Sequence, residues 1–300
     1  MTIDLSGRIA IVTGAGGGLG RTHALALARH GARVIVNDMS AAGAEAVAAE
    51  IVAAGGQAVP WTCSVTNRDG VTAMVDGAVE RWGSIDILVN NAGILRDRTF
   101  AKMDLDDFAA VIDVHLMGSV NVTKAAWTHM RSQGYGRVVF TTSSSGLYGN
   151  FGQSKYSAAK MALVGLMQTL SLEGEKSDIR VNCLAPSAAT QMTEGLYSEE
   201  DLKGLSSDLV SPGVVALAAE NAPTRMILLA GAGAFERAHV TMTQGVYVGP
   251  VEDAADRIAA SWDRISDRGF ETVPASGAAQ YLHEVRHTAV GTAPSLNVVA

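Results

Sequence analysis

Residues 8–20 read Arg-Ile-Ala-Ile-Val-Thr-Gly-Ala-Gly-Gly-Gly-Leu-Gly, a short apolar run that ends in a turn rich in glycine. The alanine-rich stretch that follows, from about residue 21 to 30, has the composition of a helix. Strand, glycine turn and helix in this order are the setting of a dinucleotide-binding loop, because the turn lets a pyrophosphate approach the backbone. The helix N-terminus then offers unpaired N–H groups to the phosphates. The predicted cofactor contacts in this turn are Gly14, Gly16, Gly18, Leu19 and Gly20.

The next apolar run, residues 33–37, predicts a buried parallel strand with Asp38 at its C-terminal end. An acidic residue about twenty positions beyond the glycine turn suits the ribose hydroxyls of NAD and repels the extra phosphate of NADP. No lysine or arginine follows Asp38 closely enough to reverse that sign. We therefore predict NAD as the cofactor. The alternative is that Asp38 caps a helix that starts near Ser40.

A third feature lies in the middle of the chain, where Tyr156 and Lys160 are four residues apart. Residues at this spacing share one face of a helix, so the phenol and the ammonium can point into the same pocket. A free tyrosine has a pKa of about 10, and a neighbouring cation favours the phenolate. The pair therefore predicts a proton-transfer group near neutral pH, and Ser143 lies upstream as a candidate partner. The alternative is a surface helix with an amphipathic tyrosine and a solvated lysine.

Composition excludes several classes of protein. The 300 residues are 48% hydrophobic and 18% charged, which is enough for a large core, and the net charge of −7 argues against a nucleic-acid or anionic-membrane surface. The only cysteines, Cys63 and Cys183, form neither a disulfide framework nor a metal-ligand pattern, so we expect no metal and a reducing compartment. We expect the cytosol, since no targeting signal, spanning segment or peroxisomal C-terminal address is visible.

Short β-branched runs alternate with longer alanine-rich stretches along the chain. Further strands are predicted near residues 58–61, 85–90, 137–142, 179–184 and 226–229, and the clearest helices over 71–82, 114–131 and 154–173. Such alternation predicts an α/β protein, a doubly wound parallel sheet with helices on both faces. We expect one catalytic domain over residues 1–300, with a core of about 5–250 and a C-terminal extension of about 251–300.

These motifs, in this order, resemble the short-chain dehydrogenase/reductase family, whose members have a single-domain Rossmann fold. The resemblance covers roughly residues 5–250 and includes Asn90-Asn91-Ala92-Gly93, Ser143 and the Tyr156/Lys160 pair. It implies that Tyr156 is the general acid/base and that Ser143 hydrogen-bonds the substrate oxygen. Lys160 would lower the pKa of the tyrosine and hold the nicotinamide ribose.

The resemblance also implies further site residues. Asn91 would help to fix the loop and the central strand ends. His115 occupies a position where the family often has an asparagine in a proton relay, so it is a candidate catalytic residue or a satisfied core histidine. The remaining implied cofactor contacts are Val65, Ala92, Gly93, Pro186 and Thr190.

A closer resemblance exists to the (3R)-hydroxyacyl-CoA dehydrogenase unit of the type 2 multifunctional enzyme of fatty-acid β-oxidation. It rests on residues 91–98, 115–119, 125–127 and 146–153, and it implies oxidation of a 3-hydroxyacyl thioester with NAD. Residues 188–212 would cap the substrate, and the alternative for them is an amphipathic surface helix. The resemblance also implies a homodimer or homotetramer that pairs the helices predicted at 114–131 and 154–173.

Two other functions stay open at this point. The same residues suit a carbonyl or 3-ketoacyl reductase that uses NADPH, and only Asp38 argues against it. A dinucleotide-binding sensor without turnover is the third hypothesis. A pure binder has no need of a proton-transfer tyrosine, so the Ser143, Tyr156 and Lys160 set favours an enzyme.

Overall fold

A computed structural model describes residues 3–189 and 204–289, with side chains up to residue 286. The strands are β1 Ile9–Thr13, β2 Arg33–Asp38, β3 Gln57–Thr62, β4 Ile87–Asn90, β5 Gly136–Thr141, β6 Ile179–Ser187, β7 Ile227–Gly231 and β8 Ala234–Ala238. The helices are α1 Gly18–Arg29, α2 Ala41–Ala53, α3 Arg68–Trp82, α4 Leu105–Ile112, α5 Gly118–Gln133, α6 Ser144–Tyr148, α7 Ser154–Gly174, α8 Ser211–Ala218, α9 Ala254–Ala259, α10 Trp262–Ile265 and α11 Gly277–Ala289.

The eight strands form one sheet in the order β3-β2-β1-β4-β5-β6-β7-β8. The pairs from β3 through β7 are parallel, and β8 alone runs antiparallel, beside β7. The strand order reverses at β1, which pairs with β2 on one side and β4 on the other. Ligands of such sheets bind at this reversal, outside the carboxyl ends of the strands. The sequence motifs at the ends of β1, β2 and β4 therefore meet in one region.

Apolar residues of the strands point alternately to two separate cores. Val12 and Val34 pack on one face with α1, α2 and α8, whereas Ile11 and Ile35 pack on the other with α3, α5 and α7. Burial on both faces explains why the central strands read as continuous apolar runs. The predicted doubly wound fold is confirmed.

The predicted helices and strands match the structure with two informative differences. The helix expected from residue 114 is the second half of a longer one, because α4 starts at Leu105 with Asp104 as its N-cap and continues through a single π-helical turn, Asp113–Met117, into α5. Strand β8 was not predicted at all. Its residues are mostly exposed, so they lack an alternating apolar pattern, and a tight turn at Ala232 and Gly233 joins them to β7.

Contacts along the chain divide it into two compact units, one up to Ala238 and one from His239 onward. The first unit holds the whole sheet. The second contains α9, α10 and α11 and a single antiparallel bridge between Met242 and Thr272. One catalytic domain over residues 1–300 stays a prediction. Within the described ranges, no helix is long and apolar enough to cross a membrane.

Candidate active site

The glycine turn between β1 and α1 lines a cavity of about 510 Å³ at the reversal point of the sheet. A Cβ atom on Gly20 would collide with the carbonyl oxygen of Gly14, so the start of α1 can pack this closely only without a side chain. The lining residues include all five predicted contacts of the turn together with Asp38, Ser40, Asn91, Ala92 and Gly93. A concave surface of backbone at a helix N-terminus fits a pyrophosphate.

Asp38 extends from the end of β2 toward this turn. Its Oδ2 atom accepts a hydrogen bond of 2.9 Å from the Gly16 N–H, and a Cβ on Gly16 would come within 2.9 Å of the carboxyl group. Its Oδ1 atom accepts from the N–H of Ser40 at 2.9 Å, while Ser40 itself is the N-cap of α2. The N-cap of α2 is therefore Ser40 and not Asp38, so the capping alternative is wrong, and the Asp38 carboxylate borders the cavity.

Asn91 and Thr13 lock the ends of β4 and β1 together. The Asn91 Nδ2 atom donates to the carbonyl oxygens of Thr13 at 3.0 Å and Gly14 at 3.2 Å. In return, the Thr13 hydroxyl accepts from the N–H groups of Asn91 at 3.0 Å and Ala92 at 3.1 Å. This exchange supports the shape of the cavity floor, as the sequence predicted for Asn91 but not for Thr13.

The other predicted cofactor contacts have different outcomes. Val65 is buried, and its carbonyl oxygen accepts a hydrogen bond of 3.0 Å from the side chain of Asn121 on α5. Pro186 lies near the carboxyl end of β6, paired with Ala230 of β7. Thr190 lies outside the described residues, as do most of the predicted substrate-cap residues.

Ser143 and Lys160 are brought together through the end of β5. The Thr142 hydroxyl donates to the backbone carbonyl of Lys160 at 2.7 Å, and the Lys160 Nζ atom donates to the carbonyl of Thr141 at 2.6 Å. Ser143 follows directly as the N-cap of α6. The Lys160 Nζ atom lies 5.5 Å from the centre of the Tyr156 ring, so the phenol and the amine do share one face of α7.

Lys160 is completely enclosed. Burial disfavours its charged form and lowers its pKa to about 7. The cation that should favour the tyrosine phenolate is itself a titrating group.

His115 lies in the π-helical turn with its ring edge against Tyr156, at 5.2 Å between ring centres. Its Nε2 atom is 2.7 Å from the carbonyl oxygen and 3.0 Å from the N–H of Ile94, and one tautomer can serve only one of these. Burial lowers its pKa to about 3, and the nearby Lys160 charge adds to this effect. The ring is therefore neutral at physiological pH, which favours a role in positioning over proton transfer near pH 7.

The sequence did not single out Gln153, which is buried at the N-cap of α7. Its side chain bonds to Asp97, Ser145 and Asn150, which come from two other segments around the site. Only a three-dimensional contact map could reveal this, because Asp97 is 56 residues away along the chain. Among the described residues, no group of histidine, cysteine or acidic side chains could hold a metal ion.

Comparison with known proteins agrees with this geometry. A family model described as short chain dehydrogenase matches residues 8–201. A Mycobacterium tuberculosis protein named as a short-chain type dehydrogenase/reductase is 44% identical over 87% of this chain and 94% of its own length. The mouse peroxisomal multifunctional enzyme type 2 is 40% identical, and the match covers 94% of this chain but 40% of the mouse protein.

A solved structure gives the same result. The full-length peroxisomal multifunctional enzyme type 2 of Drosophila melanogaster superposes with a TM-score of 0.81 at 34% identity, over 95% of this chain and 50% of that one. The chain thus spans about half the length or less of these multifunctional relatives. The resemblance seen in the sequence is confirmed: the chain belongs to the short-chain dehydrogenase family, oxidoreductases that bind a nicotinamide dinucleotide.

Proposed function

We propose that this protein is an NAD-dependent dehydrogenase that oxidises a secondary alcohol, most specifically a (3R)-3-hydroxyacyl thioester such as a coenzyme A ester. The observation that carries the proposal is the enclosed Lys160 amine 5.5 Å from the Tyr156 ring. A buried amine and a half-buried phenol on one helix face supply what an alcohol oxidation needs from a protein, namely a base with an adjustable proton affinity. The similarity to the type 2 multifunctional enzymes supports the choice of a hydroxyacyl substrate.

The residues around the glycine turn fit the cofactor. The backbone of the turn around Gly14, Gly16 and Gly20 would hold the pyrophosphate, and the Asp38 carboxylate would accept hydrogen bonds from the adenosine ribose. Lys160 and Tyr156 would hold the nicotinamide ribose. When bound, the nicotinamide ring supplies the hydride acceptor.

The protein's own groups handle the proton and the developing charge. Ser143 donates a hydrogen bond to the alcohol oxygen and holds the hydroxyl toward Tyr156. Tyr156, as phenolate, accepts the proton of the substrate hydroxyl. At the same time the C–H bond of the carbon that bears this hydroxyl breaks, so that the alcohol becomes a ketone. Protonated Lys160 lowers the energy of the phenolate, and the hydrogen bond from the Ser143 hydroxyl stabilises negative charge on the substrate oxygen.

In this proposal His115 stays neutral, and its packing against the Tyr156 ring keeps that ring in place. The His115→Asn variant is expected to be slower at every pH without a change in the shape of the pH–rate profile between pH 5 and 9. Loss of one limb of that profile would instead identify His115 as a titrating catalytic group.

The decisive experiment measures NADH formation with (3R)- and (3S)-3-hydroxyacyl-CoA thioesters and with simple secondary alcohols. We expect turnover with the (3R) thioester and a loss of about a hundredfold or more in the Tyr156→Phe variant, the usual scale of general acid/base catalysis. The matched control is Tyr281→Phe, because Tyr281 is an exposed tyrosine of α11. It should retain the parent rate.

Each alternative has its own outcome. Activity on simple alcohols without activity on thioesters would reject the acyl substrate and keep the chemistry. A strong preference for NADPH and the keto substrate would favour the reductase. Cofactor binding without turnover on any substrate would favour the sensor, and equal rates for Tyr156→Phe and the parent would remove Tyr156 from the mechanism.

Assembly and compartment stay predictions as well. We expect a homodimer or homotetramer, which analytical ultracentrifugation would detect as a mass of two or four chains. The cytosol is our prediction for the compartment, whereas the mouse and fly relatives carry the word peroxisomal in their names. Localisation of the tagged native protein would decide between the two.

A further inference from the structure

Gln153 is a buried amide that stands immediately before the helix of Tyr156. Only 5% of its surface is exposed, and it occupies the N-cap position of α7. Its backbone carbonyl accepts the hydrogen bond of the Ser157 N–H at 2.7 Å, which closes the first turn of that helix around Tyr156. A displacement of Gln153 would therefore displace the turn that carries the phenol.

The two ends of the Gln153 amide bind different segments. The Nε2 atom donates to Asp97 Oδ2 at 2.6 Å, in the loop that follows β4. The Oε1 atom accepts from the Ser145 hydroxyl at 2.7 Å and from Asn150 Nδ2 at 3.1 Å. Because a carboxylate can only accept and the Asn150 amide nitrogen can only donate, the orientation of the Gln153 amide is determined by its partners.

Ser145 connects Gln153 to Ser143, which is the second reacting group beside Tyr156. It lies in the first turn of α6, and its N–H donates to the Ser143 hydroxyl oxygen at 3.1 Å. One buried amide thus joins the residue that orients Ser143 to the turn that holds Tyr156. A backbone hydrogen bond of 3.0 Å from Arg98 N–H to the Gly152 carbonyl ties the same two loops beside it.

We propose that Gln153 is a positioning residue, which sets the place of the Ser143 hydroxyl relative to the Tyr156 phenol by bridging Ser145 to Asp97. The inference rests on the proposed function, in which the Ser143 hydroxyl and the Tyr156 phenol contact the same substrate oxygen. The hydrogen bond between Gln153 and Asp97 has a fixed direction, because the Asp97 carboxylate can only accept. Its Oδ1 atom is buried and has no hydrogen-bond partner among the described residues, so the bond from the Gln153 amide to Oδ2 is the one hydrogen bond that these residues give the carboxylate.

The test exchanges donor and acceptor. In Gln153→Glu, two acceptors face each other across the 2.6 Å contact and repel, so the bridge opens. A displacement of about 1 Å at reacting groups lowers rates by about a hundredfold, and we expect kcat to fall by about ten- to a hundredfold. Asp97→Asn keeps an acceptor oxygen for Gln153 and should stay within about threefold of the parent.

The double variant Gln153→Glu/Asp97→Asn restores a donor facing an acceptor, with the two roles reversed. We expect its kcat to recover to within about fivefold of the parent, a coupling that independent sites do not show. The Kd for NADH, measured by fluorescence, and the Tm of the double variant should stay at the parent values. Ser145→Ala removes the hydroxyl that donates to Gln153 Oε1 and keeps the backbone N–H that donates to Ser143, so Ser143 is no longer tied to Gln153 through Ser145. We expect kcat to fall by about tenfold without a change in Tm.

These measurements distinguish a failure of the proposed function from a failure of the positioning role of Gln153. A parent protein that is silent with every alcohol overturns the proposed function. An active parent whose Gln153→Glu variant keeps its kcat, or whose double variant stays as slow as Gln153→Glu, overturns the positioning role alone. If Gln153→Glu does not fold, an unchanged kcat in Ser145→Ala overturns it equally.

Discussion

Among the described residues that line the cavity, Asp38 is the one carboxylate, and the sequence predicts that it binds the adenosine ribose. Removal of its charge in Asp38→Asn should relieve the repulsion of the NADP phosphate and weaken hydrogen bonding to the NAD ribose. We expect the ratio of kcat/KM for NAD over NADP to fall by about tenfold or more, which corresponds to about 1.4 kcal/mol. Asp38→Glu keeps the charge and is the control; an unchanged ratio in Asp38→Asn would exclude this carboxylate as the selector.

Lys155 is the neighbour of Tyr156 on α7. Its side chain is fully buried, and its Nζ atom has no hydrogen-bond partner among the described residues. A buried donor without a hydrogen-bond partner costs about 1–3 kcal/mol of folding free energy, and methionine fills a similar volume without a donor. Lys155→Met is therefore expected to raise the Tm by several degrees.

The matched control for Lys155 is Lys124→Met on α5, because Lys124 is exposed. Surface changes of this kind alter stability by about 0.5 kcal/mol or less. A Tm of Lys155→Met equal to or below that of the parent would show that the buried amine has a compensating partner.

Among the secondary-structure elements, the β7–β8 hairpin stores backbone strain. Its two turn residues, Ala232 and Gly233, have φ angles of 50° and 80°, and a tight turn with two positive φ values favours asparagine or glycine over alanine. We expect Ala232→Gly to stabilise the protein by up to about 1 kcal/mol, measured by urea unfolding. Gly233→Ala should destabilise it. Destabilisation by Ala232→Gly, or stabilisation by Gly233→Ala, would contradict this turn assignment.

The elements also show what a sequence can and cannot reveal. The glycine turn, Asp38 and the Tyr156/Lys160 spacing are local patterns, and the structure places them around one end of the sheet. Strand β8 was not predicted because its residues are mostly exposed and show no alternating apolar pattern. Its register with β7 is set by the tight turn between the two strands. The roles of Gln153 and of the hydrogen bonds between Thr13 and Asn91 were not predicted, because the partners are far apart in the sequence. Only folding brings such donors and acceptors together.

For the whole molecule, two buried histidines predict sensitivity to acid. Burial lowers the pKa values of His23 and His115 from 6.5 to about 3. Between these values the unfolded chain binds a proton that the folded protein does not, so their contribution is complete above pH 6.5 and is lost as the pH falls toward 3. Each histidine should remove about 2 kcal/mol of unfolding free energy between pH 7 and 5, at about 1.4 kcal/mol per pH unit.

The variant that checks this is His23→Gln, which keeps a polar partner for the Ser211 hydroxyl that lies 2.8 Å from the histidine ring. Its loss of stability from pH 7 to pH 5, measured by urea titration, should be about 2 kcal/mol smaller than that of the parent. Equal losses in the two proteins would mean that His23 is protonated without difficulty in the folded state.

Strand β8 also has a consequence for solubility. It is the last strand of the sheet, and no strand of the described residues pairs with its outer edge. Unpaired rows of backbone amides and carbonyls recruit strands from other molecules. Glu236 and Arg237 are exposed on β8, where charges discourage that recruitment. Apolar residues in their place would turn the border of the sheet into a template for aggregation, visible as light scattering on mild heating.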